Sequence, residues 1–107
     1  MQISDKYDAL IAKREKMEGD INYDNDPIIK DMVDLLTNNI EETIAFLENG
    51  CSEKQYVWMS EIFDEIAERT KSKDFINTLR KVSVKYPKAT DEYNIGFFID
   101  SAEEFTE

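Results

Sequence analysis

Twenty-four carboxylates against thirteen cations, one cysteine and no histidine define what chemistry this 107-residue chain can attempt. Without histidine, proton transfer near neutral pH would fall to carboxylates, Lys, Tyr or Cys51. Cys51 and the serines have no imidazole to activate them, and Cys51 stands just before a helix start, where burial is the expected role. Gly19, Gly50 and Gly96 are isolated, so no glycine-rich phosphate loop is present. Paired carboxylates could serve glycoside hydrolysis, but that reaction needs a deep site that a small helical domain rarely offers. The expectation is a protein that is not an enzyme and needs no cofactor.

Two acidic clusters remain. The first, Asp20-x-Asn22-x-Asp24-Asn25-Asp26 with Asp31 at the twelfth place, imitates a calcium loop. Asn25 replaces the glycine of the sharp turn and Asp31 is shorter than the usual bidentate Glu, so no metal is expected there; helix capping and solvation explain the cluster. The second comprises Glu61, Asp64, Glu65 and Glu68, which 100° per residue puts in one band of roughly a quarter-turn. Like charges at these spacings are mutually unfavourable, which suits a ridge used against a cationic partner. A merely solvated helix face is the competing reading.

The elements that must carry these groups read as helices throughout. Apolar residues recur at three and four, with only three glycines and two prolines to interrupt them. The expected fold is all-α, one domain over residues 1–107, a single compact bundle of about five to seven helices. A first helix runs from about Ser4, its candidate N-cap, to Met17, and a loop follows to Asp26. Asp26-Pro27 opens the second helix. Asn38-Asn39 before Ile40-Glu41-Glu42 reads as a new N-cap and a break. Ser52 with Gln55 makes a capping box, with Cys51 and Tyr56 as its hydrophobic staple. A helix from Glu53 to about Arg69, carrying Trp58, Met59, Ile62, Phe63 and Ile66, should be the best buried; Trp58 and Tyr56 are also possible interface anchors. Ser72 caps a further helix that Pro87 stops, a short turn follows near Ala89–Tyr93, and Ile95 to Phe105 fits a final helix better than a strand.

The net charge of −11 is unevenly distributed. Residues 69–88 hold seven cations and one anion, while the flanking segments carry the acid. The basic window (Arg69, Lys71, Lys73, Arg80, Lys81, Lys85, Lys88) is expected to pair within the protein, since nucleic-acid binding would oppose the overall field. No apolar run is long enough to span a bilayer, and the N-terminus has no basic n-region or apolar h-region. With one unpaired cysteine, a cytoplasmic location is expected, without nucleic acid or membrane as partner.

The run Cys51-Ser52-Glu53-Lys54-Gln55-Tyr56-Val57-Trp58-Met59-Ser60-Glu61-Ile62-Phe63-Asp64-Glu65-Ile66-Ala67, with Ser72-Lys73-Asp74-Phe75-Ile76, Lys85-Tyr86-Pro87 and Asn94-Ile95 to Ile99-Asp100-Ser101-Ala102-Glu103, resembles small helical bacterial immunity proteins. These are encoded beside polymorphic toxins in contact-dependent growth inhibition and related systems. The resemblance covers roughly residues 39–105. It implies a protein that binds a cognate toxin domain and blocks its active site or its access to substrate. It names no toxin, no contact surface and no oligomeric state. Many such toxins are nucleases with basic surfaces, so the expected partner is a cationic toxin domain. The expected contact is Glu61, Asp64, Glu65 and Glu68, with Asp20, Asp24 and Asp26 as a second candidate. The alternative is a general protein-interaction or adaptor domain.

Overall fold

Local signals set most helix boundaries in a computed structural model that describes residues 2–17 and 26–107. The helices are α1 (Ile3–Met17), α2 (Asp26–Asn38), α3 (Ile40–Asn49), α4 (Glu53–Met59), α5 (Phe63–Thr70), α6 (Lys73–Lys85), α7 (Pro87–Glu92) and α8 (Ile95–Glu104). A 3-10 turn, Ser60–Ile62, joins α4 to α5. With Glu53–Thr70 counted as one bent rod, seven helices pack together among the described residues, and the all-α expectation holds.

The cap residues act as their types require. Asn39 accepts from the Glu42 amide, which ends α2 and starts α3 where the sequence places a break. Ser72 accepts from the Phe75 amide and opens α6. Pro87 cannot continue α6 and instead occupies the first turn of α7. The final segment is helix from Ile95 to Glu104, with Phe105 as its C-cap.

Ser52 and Gln55 form the reciprocal capping box. Gln55 does more than cap: its Nε2 donates to Ser4 Oγ at 3.0 Å and Asp8 Oδ1 at 2.8 Å. Ser4 therefore lies inside α1 and receives α4, rather than serving as the α1 N-cap. Loss of a cap and of a buried inter-helix tie together makes Gln55→Ala cost about 2–3 kcal/mol, read as a lower urea midpoint with an unchanged slope. A cost near zero would mean that the tie contributes nothing.

One hydrophobic cluster draws on every helix except α7. Its centre is aromatic: the Phe63 ring lies 6.2 Å from both Tyr56 and Phe75, edge-on to Phe75. Among the described residues, three of the seven cations of the basic window form the expected ion pairs within the fold. Arg69 reaches Asp34 at 2.6 Å, Arg80 reaches Asp100 and Glu103, and Lys81 reaches Glu48 at 4.0 Å. The Arg69 hydrogen bond, helped by Lys30, holds the Asp34 carboxyl below its ordinary range. No helix among the described residues is long and apolar enough to cross a membrane.

Candidate partner-binding surface

The helix expected from Glu53 to Arg69 is not continuous, and this decides where its carboxylates stand. At Ser60 the side chain donates to the Val57 carbonyl at 2.6 Å, and the chain tightens to 3-10 geometry for three residues. Each 3-10 residue turns about 120° instead of about 100°, so three of them advance the phase by about 60°. A single helical wheel therefore cannot relate Glu61 to the carboxylates of α5.

Glu61 is exposed and pairs with Arg14 of α1. Glu65 and Glu68 are exposed on α5 and make no ion pair among the described residues. Asp64 separates from them: it is half-buried against α8, where Oδ2 accepts from Ser101 Oγ at 3.3 Å, and its buried Oδ1 has no hydrogen-bond partner among the described residues. Of the second cluster, Asp20 and Asp24 lie outside the described residues, and Asp26 is the first residue of α2. Asp31, the twelfth position of the calcium-like pattern, is exposed. Among the described residues no three His, Cys, Asp or Glu side chains gather as a metal site.

Tyr56 is fully buried and cannot be an interface anchor. Trp58 is only partly buried, and the Arg14 guanidinium lies 4.9 Å from its ring centroid. Beside it the structure reveals a surface that the sequence reading did not identify. An open groove of about 350 Å³ is lined by Val57, Trp58, Ser60, Glu61, Tyr93 and Phe98. A second depression, sharing Val57, Trp58 and Tyr93, continues it past Glu53, Lys54 and Glu92.

The far wall of this groove is set by polar ties. Thr90 Oγ1 donates to the Tyr86 carbonyl at 2.8 Å, so the single Thr90 hydroxyl proton is used and the Tyr56 hydroxyl donates to Thr90 at 2.9 Å. Tyr86 in turn donates to the Cys51 carbonyl at 2.8 Å. These bonds hold α7 beside α4. Asn94 then adopts a left-handed conformation, φ 54°, which Asn tolerates better than most residues, and turns the chain into α8. Tyr93 and Phe98 thus face Trp58 across the groove. A signal was available: Tyr93 is a lone aromatic in the polar run Asp91-Glu92-Tyr93-Asn94, with no apolar face to join.

The surroundings of Cys51 disfavour its thiolate. The residue is buried, and desolvation pushes its thiol up to about 12, with Lys85 opposing the shift. Burial likewise raises the Tyr7 and Tyr56 phenols. Groups with raised native values keep protons that the unfolded chain releases, so stability falls as pH rises above about 8.5 through Cys51 and above about 10 through the tyrosines. Thermal melts between pH 7 and 10 should show this decline, and Cys51→Ala should remove its earlier part. Native Cys51 should resist a thiol reagent at pH 8 and react after unfolding in urea; equal rates in both would contradict its burial.

No family model, curated protein or solved structure matches the chain. Fold and surface together define a small all-helical domain with an acidic helix face and an adjoining aromatic groove.

Proposed function

We propose that this protein is a non-enzymatic immunity protein that binds and neutralises a cationic toxin domain, of the nuclease kind, through its acidic surface. The observation that carries the proposal is the exposed pair Glu65 and Glu68, without ion pairs among the described residues, on a chain of net charge −11. Arg69, Arg80 and Lys81 of the basic window pair with acids of the fold, and the net charge stays −11. Glu61 remains in the proposed contact, although a partner must compete with Arg14 for it. Asp64 is moved to a supporting role between α5 and α8. Asp20, Asp24 and Asp26 stay as the second candidate surface. Electrostatic attraction would speed capture of the toxin before damage occurs.

The aromatic groove supports a second reading, an adaptor domain that binds a helix of a partner with no toxin involved. The two readings separate by co-expression with the product of the gene immediately upstream. Salt-sensitive co-purification with a toxin carboxy-terminal domain supports immunity. Failure to bind that domain at low salt, when both proteins are folded, overturns it.

A further inference from the structure

The groove between α4 and the α7–α8 turn has the composition of an interface centre rather than of a solvated surface. Trp58, Tyr93, Val57 and Phe98 line it, and Phe97, whose ring lies 5.9 Å from Phe98, extends the apolar strip beyond it. Tyr93 is 51% and Phe97 63% exposed, so the strip is open to solvent. A groove lined by aromatic and aliphatic side chains with a few polar groups is where a ligand or partner is accommodated. Trp and Tyr are the residues that most often dominate binding energy when a partner covers them.

The rim specifies the occupant. Glu61 borders one end, and Glu53 and Glu92 border the other. Lys54, which lines the groove, is drawn to Glu15 at 3.0 Å, while Glu53 and Glu92 make no ion pair among the described residues. Cation recognition by this chemistry already occurs within the fold, where the Arg14 guanidinium lies over Trp58 and pairs with Glu61. A second copy of the chain would bring another −11 to the same acidic rim, which charge disfavours.

We propose that this groove is the docking site for an amphipathic helix of the partner that inserts apolar side chains between Trp58 and Tyr93 and sets Lys or Arg against Glu53, Glu61 and Glu92. This rests on the reading that the protein works by binding a cationic protein, and it supplies the anchor that acidic residues alone lack. Rim charges guide the encounter, and the desolvated aromatic centre holds the complex. The apolar anchors of such a helix recur at three and four residues, the spacing that lets one helical face follow a groove.

The probe is an amphipathic peptide of leucine and lysine written on the helical period, with a leucine–glutamate peptide of the same pattern as its control. Binding anywhere on the protein is read from the anisotropy of a labelled peptide. Binding in the groove is read from Trp58, the only tryptophan, with unlabelled peptide. The leucine–lysine peptide should shift Trp58 emission to shorter wavelength, and the leucine–glutamate peptide should not. Tyr93→Ala and the pair Glu53→Lys/Glu92→Lys, each with an unchanged far-ultraviolet spectrum, should weaken binding about tenfold or more. Rising anisotropy with unchanged Trp58 emission and undiminished binding by Tyr93→Ala would overturn the groove and leave the cationic-partner reading standing. Equal shifts with both peptides would overturn the role of the rim. A Trp58 shift caused by protein concentration alone would assign the groove to self-association instead. Absence of any binding at low salt would count against both the groove and the wider reading.

Discussion

Truncating Phe63 to alanine is expected to cost about 3–5 kcal/mol, the range for removing a buried aromatic side chain. The residue has no solvent exposure, and its ring lies 6.2 Å from Tyr56 of α4 and from Phe75 of α6, linking the two helices. A domain of this size has about 5–15 kcal/mol of stability in all, so the variant should be marginal at room temperature and unfolded in modest urea. Phe97→Ala supplies the comparison, because its ring is mostly exposed and its loss should change stability by about 0.5 kcal/mol or less. Urea titrations of both variants should differ widely in midpoint. Similar midpoints would mean that the core is not organised around Phe63.

The largest functional effect is expected from Glu65→Lys combined with Glu68→Lys. Both side chains are exposed, so the variant should fold with a stability within about 1 kcal/mol of the original. Each reversal moves the net charge by two units from −11 and places the new cation on the face assigned to the toxin. Association with a cationic domain should slow by about tenfold or more at low ionic strength. The difference should shrink as salt screens the field over a Debye length of about 3 Å at 1 M. Stopped-flow association with a cationic domain encoded by the upstream gene, the partner proposed above, reads this directly across a salt series. An unchanged rate at low salt would remove Glu65 and Glu68 from the interface while leaving the groove open to test. Asp64 is unsuitable for such a reversal, because a lysine there would enter the packing between α5 and α8 and confuse folding with binding.

The sequence made the fold legible wherever a boundary is decided within a few residues. Asn39, Ser52 with Gln55, Ser72 and Pro87 act through their own side chains or ring on adjacent backbone groups, and each stands where the residue pattern puts it. What was not legible depends on distant segments. Nothing in Trp58-Met59-Ser60-Glu61 announces a 3-10 turn, since neither glycine nor proline is present and Ser60 is buried within the packed structure. That turn is why one wheel does not relate Glu61 to the carboxylates of α5, while the packing of α8 on α5 is why Asp64 meets Ser101. The same dependence hid the groove. Trp58 and Tyr93 are far apart in sequence, and long-range contacts, among them the ties between Thr90 and Tyr56 and between Tyr86 and Cys51, bring α7 to α4. Ser4 shows the converse: its type suits an N-cap, but a long-range bond from Gln55 uses its hydroxyl.

Neutralisation of a cationic toxin is tested most directly by growth. Cells induced to make the proposed toxin domain, taken from the upstream gene, are given this protein, its Glu65→Lys/Glu68→Lys variant, or an empty vector, with equal soluble expression of the two proteins. The expected result is growth with the original protein, and impaired growth with the charge-reversed variant. Arrest with the original protein as complete as with the empty vector would contradict the immunity function.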